Sequence, residues 1–131
     1  MKTSKRQNSS FCQLFAGDGN DLIIVRRGDD IIDGGAGRDI IAAQRGDDII
    51  TGGTGSDFFD FSSNHGENII TDFEDGIDFI RLRGNLTFAD LEIEAENGGT
   101  SIESENGDLE IQLPGVNVAN ITADDFLEIV V

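Results

Sequence analysis

Short apolar pairs alternate along this chain with clusters of glycine and aspartate, and the alternation keeps a period of nine. Written from Ala16, successive blocks read AGDGNDLII, VRRGDDIID, GGAGRDIIA, AQRGDDIIT and GGTGSDFFD. Glycine holds the fourth place of each block (Gly19, Gly28, Gly37, Gly46, Gly55) and aspartate the sixth (Asp21, Asp30, Asp39, Asp48, Asp57). A large apolar residue holds the eighth: Ile23, Ile32, Ile41, Ile50 and Phe59. Six residues of each block suit a turn. The other three make a minimal strand whose central side chain points to the core. Gly-Asp turns also build ordinary hairpins, but hairpins do not require a strict nine-residue phase. Each block therefore predicts half a coil and each pair of blocks a full turn, with loops two blocks apart stacked on one edge.

Beyond residue 60 the pattern weakens. Phe61 and Ser62 read as an insertion, and SNHGENIIT (63–71) then recovers the phase with Asn68 in the aspartate place. FEDGIDFIR (73–81) fits again through Gly76, Asp78 and Ile80. The eighth-place row, continued by Ile70 and Ile80, predicts the inner stack. The seventh-place row (Leu22, Ile31, Ile40, Ile49, Phe58, Ile69, Phe79) faces the other way, because strand neighbours point to opposite faces. It predicts an apolar stripe down each outer face, covered by the chain's own flanks, by a second copy or by a ligand.

From residue 86 strict alternation takes over. LEIEAEN, TSIESEN and LEIQL read as strands of a meander, separated by turn signals at Gly98-Gly99 and Asn106-Gly107-Asp108. Pro114-Gly115 ends the meander. Thr122 as an N-cap, followed by Asp124 and Asp125, predicts a short helix to Phe126; LEIVV reads as a final strand or a free end. The expected organisation is a flexible segment at 1–15, a parallel roll at 16–81 and a C-terminal β cap at 82–131.

The loop chemistry points to a hard cation. Calcium takes six to eight oxygens and mixes carboxylates with backbone carbonyls. Glycines let a short loop turn its carbonyls inward, and the sixth-place aspartates supply charge. The 131-residue chain carries 26 acidic against 9 basic residues, a formal charge of −17. That balance argues against nucleic acid and implies self-repulsion unless cations are taken up. One cysteine, Cys12, excludes an internal disulfide, so a metal is the natural staple. One histidine, His65, with one distant cysteine argues against zinc. No apolar run reaches the roughly 18 residues of a membrane span. The opening MKTSKRQNSSFCQLF lacks the apolar stretch of a cleaved signal peptide.

The repeat resembles that of RTX (hemolysin-type) calcium-binding proteins. The resemblance implies an all-β, right-handed parallel β-roll holding several calcium ions. On the glycine-rich edge the implied ligands are Ala16, Asp18 and Asp21; Gly34, Gly35, Ala36, Gly37 and Asp39; Gly52, Gly53, Thr54, Gly55 and Asp57. On the other edge, where VRRGDD and AQRGDD have lost both leading glycines, they are Val25, Arg27, Asp30, Gln44, Gly46 and Asp48. Gly76 and Asp78 extend the set. The second edge leaves two readings open: calcium held through unusual backbone carbonyls, or the guanidinium groups of Arg26, Arg27 and Arg45 pairing with Asp29, Asp30, Asp47 or Asp48 in its place.

The C-terminal stretch is similar to the region that follows the repeats in many RTX proteins. There an uncleaved signal is read by a type I secretion apparatus, and Glu128-Ile129-Val130-Val131 matches one form of it. No HExxH, GxSxG, Walker loop or usable Cys/His pair is present, so the chain reads as a non-enzyme. Two function classes follow. One is a secreted module that folds on calcium. The other is an extracellular interaction module, either an adhesin or matrix protein with polysaccharide or self-association as partner, or the detached roll of a secreted enzyme.

Overall fold

Parity along the strands decides the architecture. In a computed structural model, which describes residues 2–7, 11–63 and 65–129, the eighth-place residues Ile23, Ile32, Ile41, Ile50, Phe59, Ile70 and Ile80 are all at most 1% exposed. Their seventh-place neighbours face out, with Ile49 42% and Ile69 36% exposed. Two sheets thus enclose one apolar core.

The first sheet is parallel throughout and runs β1 (Lys2–Gln7), β3 (Asn20–Arg27), β5 (Ile40–Arg45), β7 (Phe58–Phe61), β9 (Phe79–Arg83) and β13 (Phe126–Ile129). The second contains β2 (Gln13–Phe15), β4 (Ile31–Asp33), β6 (Asp48–Thr51) and β8 (Gly66–Ile70), also parallel. From β2 to β9 the chain crosses between the sheets at every loop, which makes a parallel β-roll. Among the described residues no helix is long and apolar enough to cross a membrane.

The structure differs from the sequence expectations at three places. In the segment 1–15, expected to be flexible, residues 2–7 form β1 beside β3 and residues 13–15 form β2, where Cys12 and Leu14 alternate inward and end the core at 9% and 6% exposure. The meander β10 (Leu91–Glu96), β11 (Gly99–Ser104) and β12 (Leu109–Leu113) does not stand apart as a cap. β12 pairs in parallel with β8, so the second sheet simply continues. The short helix at 122–126 is a single 3-10 turn, Ala123–Asp125, closed by reciprocal bonds between Thr122 and Asp125. Phe126, 6% exposed and with its ring tilted against that of Phe88 at a centroid distance of 5.0 Å, then enters β13 beside β9. Packing of that ring outweighs the local helix signal.

Candidate metal centre

The sixth-place aspartates form two ladders, one on each edge of the roll. On the glycine-rich edge the backbone N–H of Asp21 donates to Asp39 Oδ1 at 2.9 Å, that of Asp39 to Asp57 Oδ1 at 2.9 Å, and that of Asp57 to Asp78 Oδ1 at 2.9 Å. On the other edge Asp30 N–H donates to Asp48 Oδ1 at 2.8 Å. Asp48 in turn registers with Asn68. All six aspartates are 2% exposed or less, and Asn68 is wholly buried.

Each ladder leaves oxygens without a partner. Asp39 Oδ2, Asp57 Oδ2 and both oxygens of Asp21 are buried and unbonded on the first edge; Asp30 Oδ1, Asp48 Oδ2 and Asn68 Oδ1 are so on the second. A buried carboxylate oxygen without a donor costs free energy on any account. Burial, followed by crowding from neighbouring carboxylates, pushes Asp39 up to about 6, Asp48 to about 7 and Asp57 to about 8, against opposing backbone hydrogen bonds. Asp30 and Asp78 are raised for the same leading reason.

The loops bring backbone oxygens to the same places. A Cβ on Gly34 would lie 2.7 Å from Asp39 Oδ2 and 2.8 Å from the Gly52 carbonyl. A Cβ on Gly53 would lie 2.0 Å from the Gly35 carbonyl, and one on Gly46 1.8 Å from the Gly28 carbonyl. Carbonyl rows therefore run up both edges, in spaces that only glycine leaves open. Among the described residues no three His, Cys, Asp or Glu side chains converge on one point. A cation here must draw most of its oxygens from the backbone, and this donor set of carbonyls plus single carboxylates fits calcium.

The sequence of the repeats decides what these ladders are. The sequence model of the RTX calcium-binding nonapeptide repeat (4 copies) matches residues 13–41 and 35–65. Residues 13–65 are RTX calcium-binding repeats. The RTX roll binds calcium. The chain is also similar to two solution structures from Azotobacter vinelandii mannuronan C5-epimerase. The AlgE6R3 subunit is 24% identical with a TM-score of 0.46, over 96% of this chain and 78% of that one. The AlgE6R2 subunit is 25% identical with a TM-score of 0.48, over 97% and 91%. No curated protein matches the chain.

The residues expected as ligands in the RTX roll do not all sit alike. Gly34, Gly35, Ala36, Gly37, Gly52, Gly53, Thr54 and Gly55 lie in loops between strands, with Asp39 and Asp57 at their ends. Ala16 is half-buried in the first loop and Asp18 is exposed there. Val25, Arg27 and Gln44 are not in loops at all: β3 and β5 run on through them, because Val25 and Ala43 are fully buried and prolong the inner row. The second edge is thus a tighter bend around Gly28–Asp30 and Gly46–Asp48. Gly76 lies in an exposed turn, and Asp78 is already engaged at both oxygens, since its Oδ2 accepts the Glu74 N–H at 2.9 Å.

Sequence reasoning saw Asn68 in the aspartate place without counting it among the ligands, and it missed Asp33 and Asp72. Asp33 Oδ1 accepts the Gly35 N–H, and Asp72 accepts both Gly52 and Gly53 N–H, so these two hold glycine loops open. The available signal was Asp33 standing directly before a Gly-Gly pair. His65 is paired with Ser62, whose Oγ lies 2.8 Å from Nε2, while its Nδ1 accepts the Ser62 N–H at 3.3 Å. Accepting at Nδ1 leaves the ring proton on Nε2, directed at Oγ, so the ring cannot take the serine proton. Burial lowers His65 to about 4, and the pair is a neutral loop brace.

Proposed function

We propose that calcium uptake folds this chain, and that folding follows its export from the cell. The observation that carries the reading is the pair of ladders of buried, partnerless carboxylate oxygens. Without a cation these ladders cost desolvation and mutual repulsion, several kcal/mol per uncompensated ion. With calcium the same oxygens become ligands, and metal-binding free energy becomes folding free energy.

The proposed holding set is Asp21, Asp39 and Asp57 with the loop carbonyls on the glycine-rich edge, and Asp30 and Asp48 with Asn68 on the other. Asp78, saturated with hydrogen bonds, closes the first ladder. Calcium on both edges is favoured over guanidinium by two observations. Both edges carry the same kind of orphan oxygen. Among the described residues ion pairs are confined to Asp60 with Arg81 and Arg83, each at 2.9 Å, which leaves Arg26, Arg27 and Arg45 outside any.

Inside a cell free calcium is scarce and the carboxylates repel; outside, calcium is abundant and the roll closes. The C-terminal tail supports this order. Glu128 lies in β13 and accepts the Phe88 N–H at 3.0 Å, so folding engages the tail in the first sheet. A tail serving as an export signal is free to be read only before that happens. Val130 and Val131 of the matching tetrapeptide lie outside the described residues. A type I secretion apparatus is the proposed exporter and the extracellular space the proposed location.

Circular dichroism in EGTA and then in millimolar calcium tests the reading: a disordered spectrum should convert to β. A fully folded, unchanged spectrum in EGTA would sink it. Calorimetric titration of Asp39→Asn and Asp48→Asn tests the two edges separately. Each substitution should weaken calcium binding at least about tenfold, in line with removing an ion-facing charge. Unchanged binding in Asp48→Asn would return the second edge to the arginines.

A further inference from the structure

The two outer faces of the roll carry opposite charge. Eight of the nine Lys and Arg residues stand on strands of the first sheet, and the ninth, Arg38, stands on a loop. None of the seven strands of the second sheet carries a Lys or Arg.

Five of these arginines border a furrow on the first sheet. One part, of about 550 Å³, has an apolar floor of Leu22, Ile24, Ile40 and Ala42, with Arg81 and Arg83 on one side. It shares Gln44, Ser62 and His65 with a second part, of about 430 Å³, bordered by Arg26, Arg27 and Arg45. Asp60 neutralises one charge of the Arg81–Arg83 pair, and the other three arginines have no ion pair among the described residues.

On the second sheet, glutamates stand directly opposite one another on four adjacent strands. Glu92 registers with Glu103, Glu103 with Glu110, and Glu110 with Glu67. Like charges facing each other across strands destabilise a sheet. Glu110 and then Asp47 push the Glu67 carboxyl above its ordinary range. Beside this row stand the exposed Ile49 and Ile69. The arginine-bordered furrow, from β3 to β9, and the glutamate row each cross four adjacent strands, about 14 Å at the usual strand spacing.

We propose that the glutamate face of one roll docks on the arginine furrow of a second copy, so that folded chains stack face to opposite face. Each face supplies what the other lacks: unpaired guanidinium groups beside an apolar floor, and an uncompensated carboxylate row beside exposed isoleucines. Charge complementarity of this kind fixes register and partner. The contact is heterologous, since each copy offers a different face at each end, and such contacts propagate instead of closing at a dimer. The overall charge does not forbid it. At about 0.15 M salt the Debye length is about 8 Å, so charges in contact outweigh the distant ones.

The test is sedimentation velocity of the calcium-loaded chain at physiological salt over a range of concentrations. The expected result is growth of the sedimenting species past the dimer as concentration rises. Arg26→Glu with Arg45→Glu should abolish it, and so should Glu103→Lys with Glu110→Lys. All four residues are at the surface, and calcium-induced circular dichroism checks that each variant folds. An equimolar mixture of the two variants should assemble again, because each then meets a complementary face. A parent chain that stays monomeric at every concentration overturns the proposal, as does assembly indifferent to both charge reversals. A monomer that instead retains heparin, lost on Arg26→Glu with Arg45→Glu, assigns the furrow to a polyanion and also overturns it.

Discussion

At the residue scale the roll depends on glycines that serve two different needs. Gly17 has φ +87°, and a Cβ there would meet nothing within 4 Å, so only its backbone conformation matters. Gly46 has φ +128°, and a Cβ there would meet the Gly28 carbonyl at 1.8 Å. That carbonyl belongs to the coil below and cannot retreat without unstacking the loops. Gly17→Ala should therefore cost about 1 kcal/mol, the penalty of a left-handed alanine. Gly46→Ala should cost several times more and lower calcium affinity as well. Urea midpoints in saturating calcium measure the difference, and equal losses would contradict it.

At the element scale a strand of four residues serves two surfaces. In β6, Ile50 is fully buried while its neighbour Ile49 is 42% exposed. Ile50→Ala should cost about 2–5 kcal/mol through lost burial and a cavity. Ile49→Ala should stay within about 0.5 kcal/mol. Thermal unfolding of the calcium-loaded variants at low concentration decides; a costly Ile49→Ala would mean the outer face is covered, by the same chain if the cost is independent of concentration and by a second copy if it grows with it. This division was legible in the sequence, because period nine fixes parity at every strand. The aspartate ladders were legible for the same reason. What escaped was whatever depends on distant partners. The Thr122 cap and the following acids are the same in a helix and in a single 3-10 turn, and only Phe126 meeting Phe88 and β9 chooses between them. The lost glycines of VRRGDD and AQRGDD looked like damaged loops. Val25 and Ala43, each two places beyond an inner isoleucine, were the overlooked sign that the strands continue. The acids of the meander were visible as alternation, but their registration into a glutamate row follows from the pairing of β12 with β8, which no local pattern encodes.

At the scale of the whole molecule, protons and calcium compete for the same ladders. In the calcium-free fold Asp39, Asp48 and Asp57 are raised to about 6, 7 and 8, chiefly by burial. An unfolded aspartate titrates near 3.9. A group whose pKa is raised by folding favours the fold when protonated. Its contribution is complete below the unfolded value and is lost as the pH rises through the folded one. The calcium-free roll should therefore gain stability as the pH falls from about 8 to about 5, opposite to the usual behaviour of paired carboxylates. Calcium reverses the sign, because the metal takes only the ionised carboxylate and must displace those protons. Its affinity should fall over the same interval, and the gap between calcium-loaded and calcium-free stability should close toward acid. Circular dichroism at several pH values, on metal-stripped protein with and without millimolar calcium, gives the folded fraction along both curves. They should converge in acid and diverge above neutrality; parallel curves would mean that the ladder aspartates are not the groups that hold the ion.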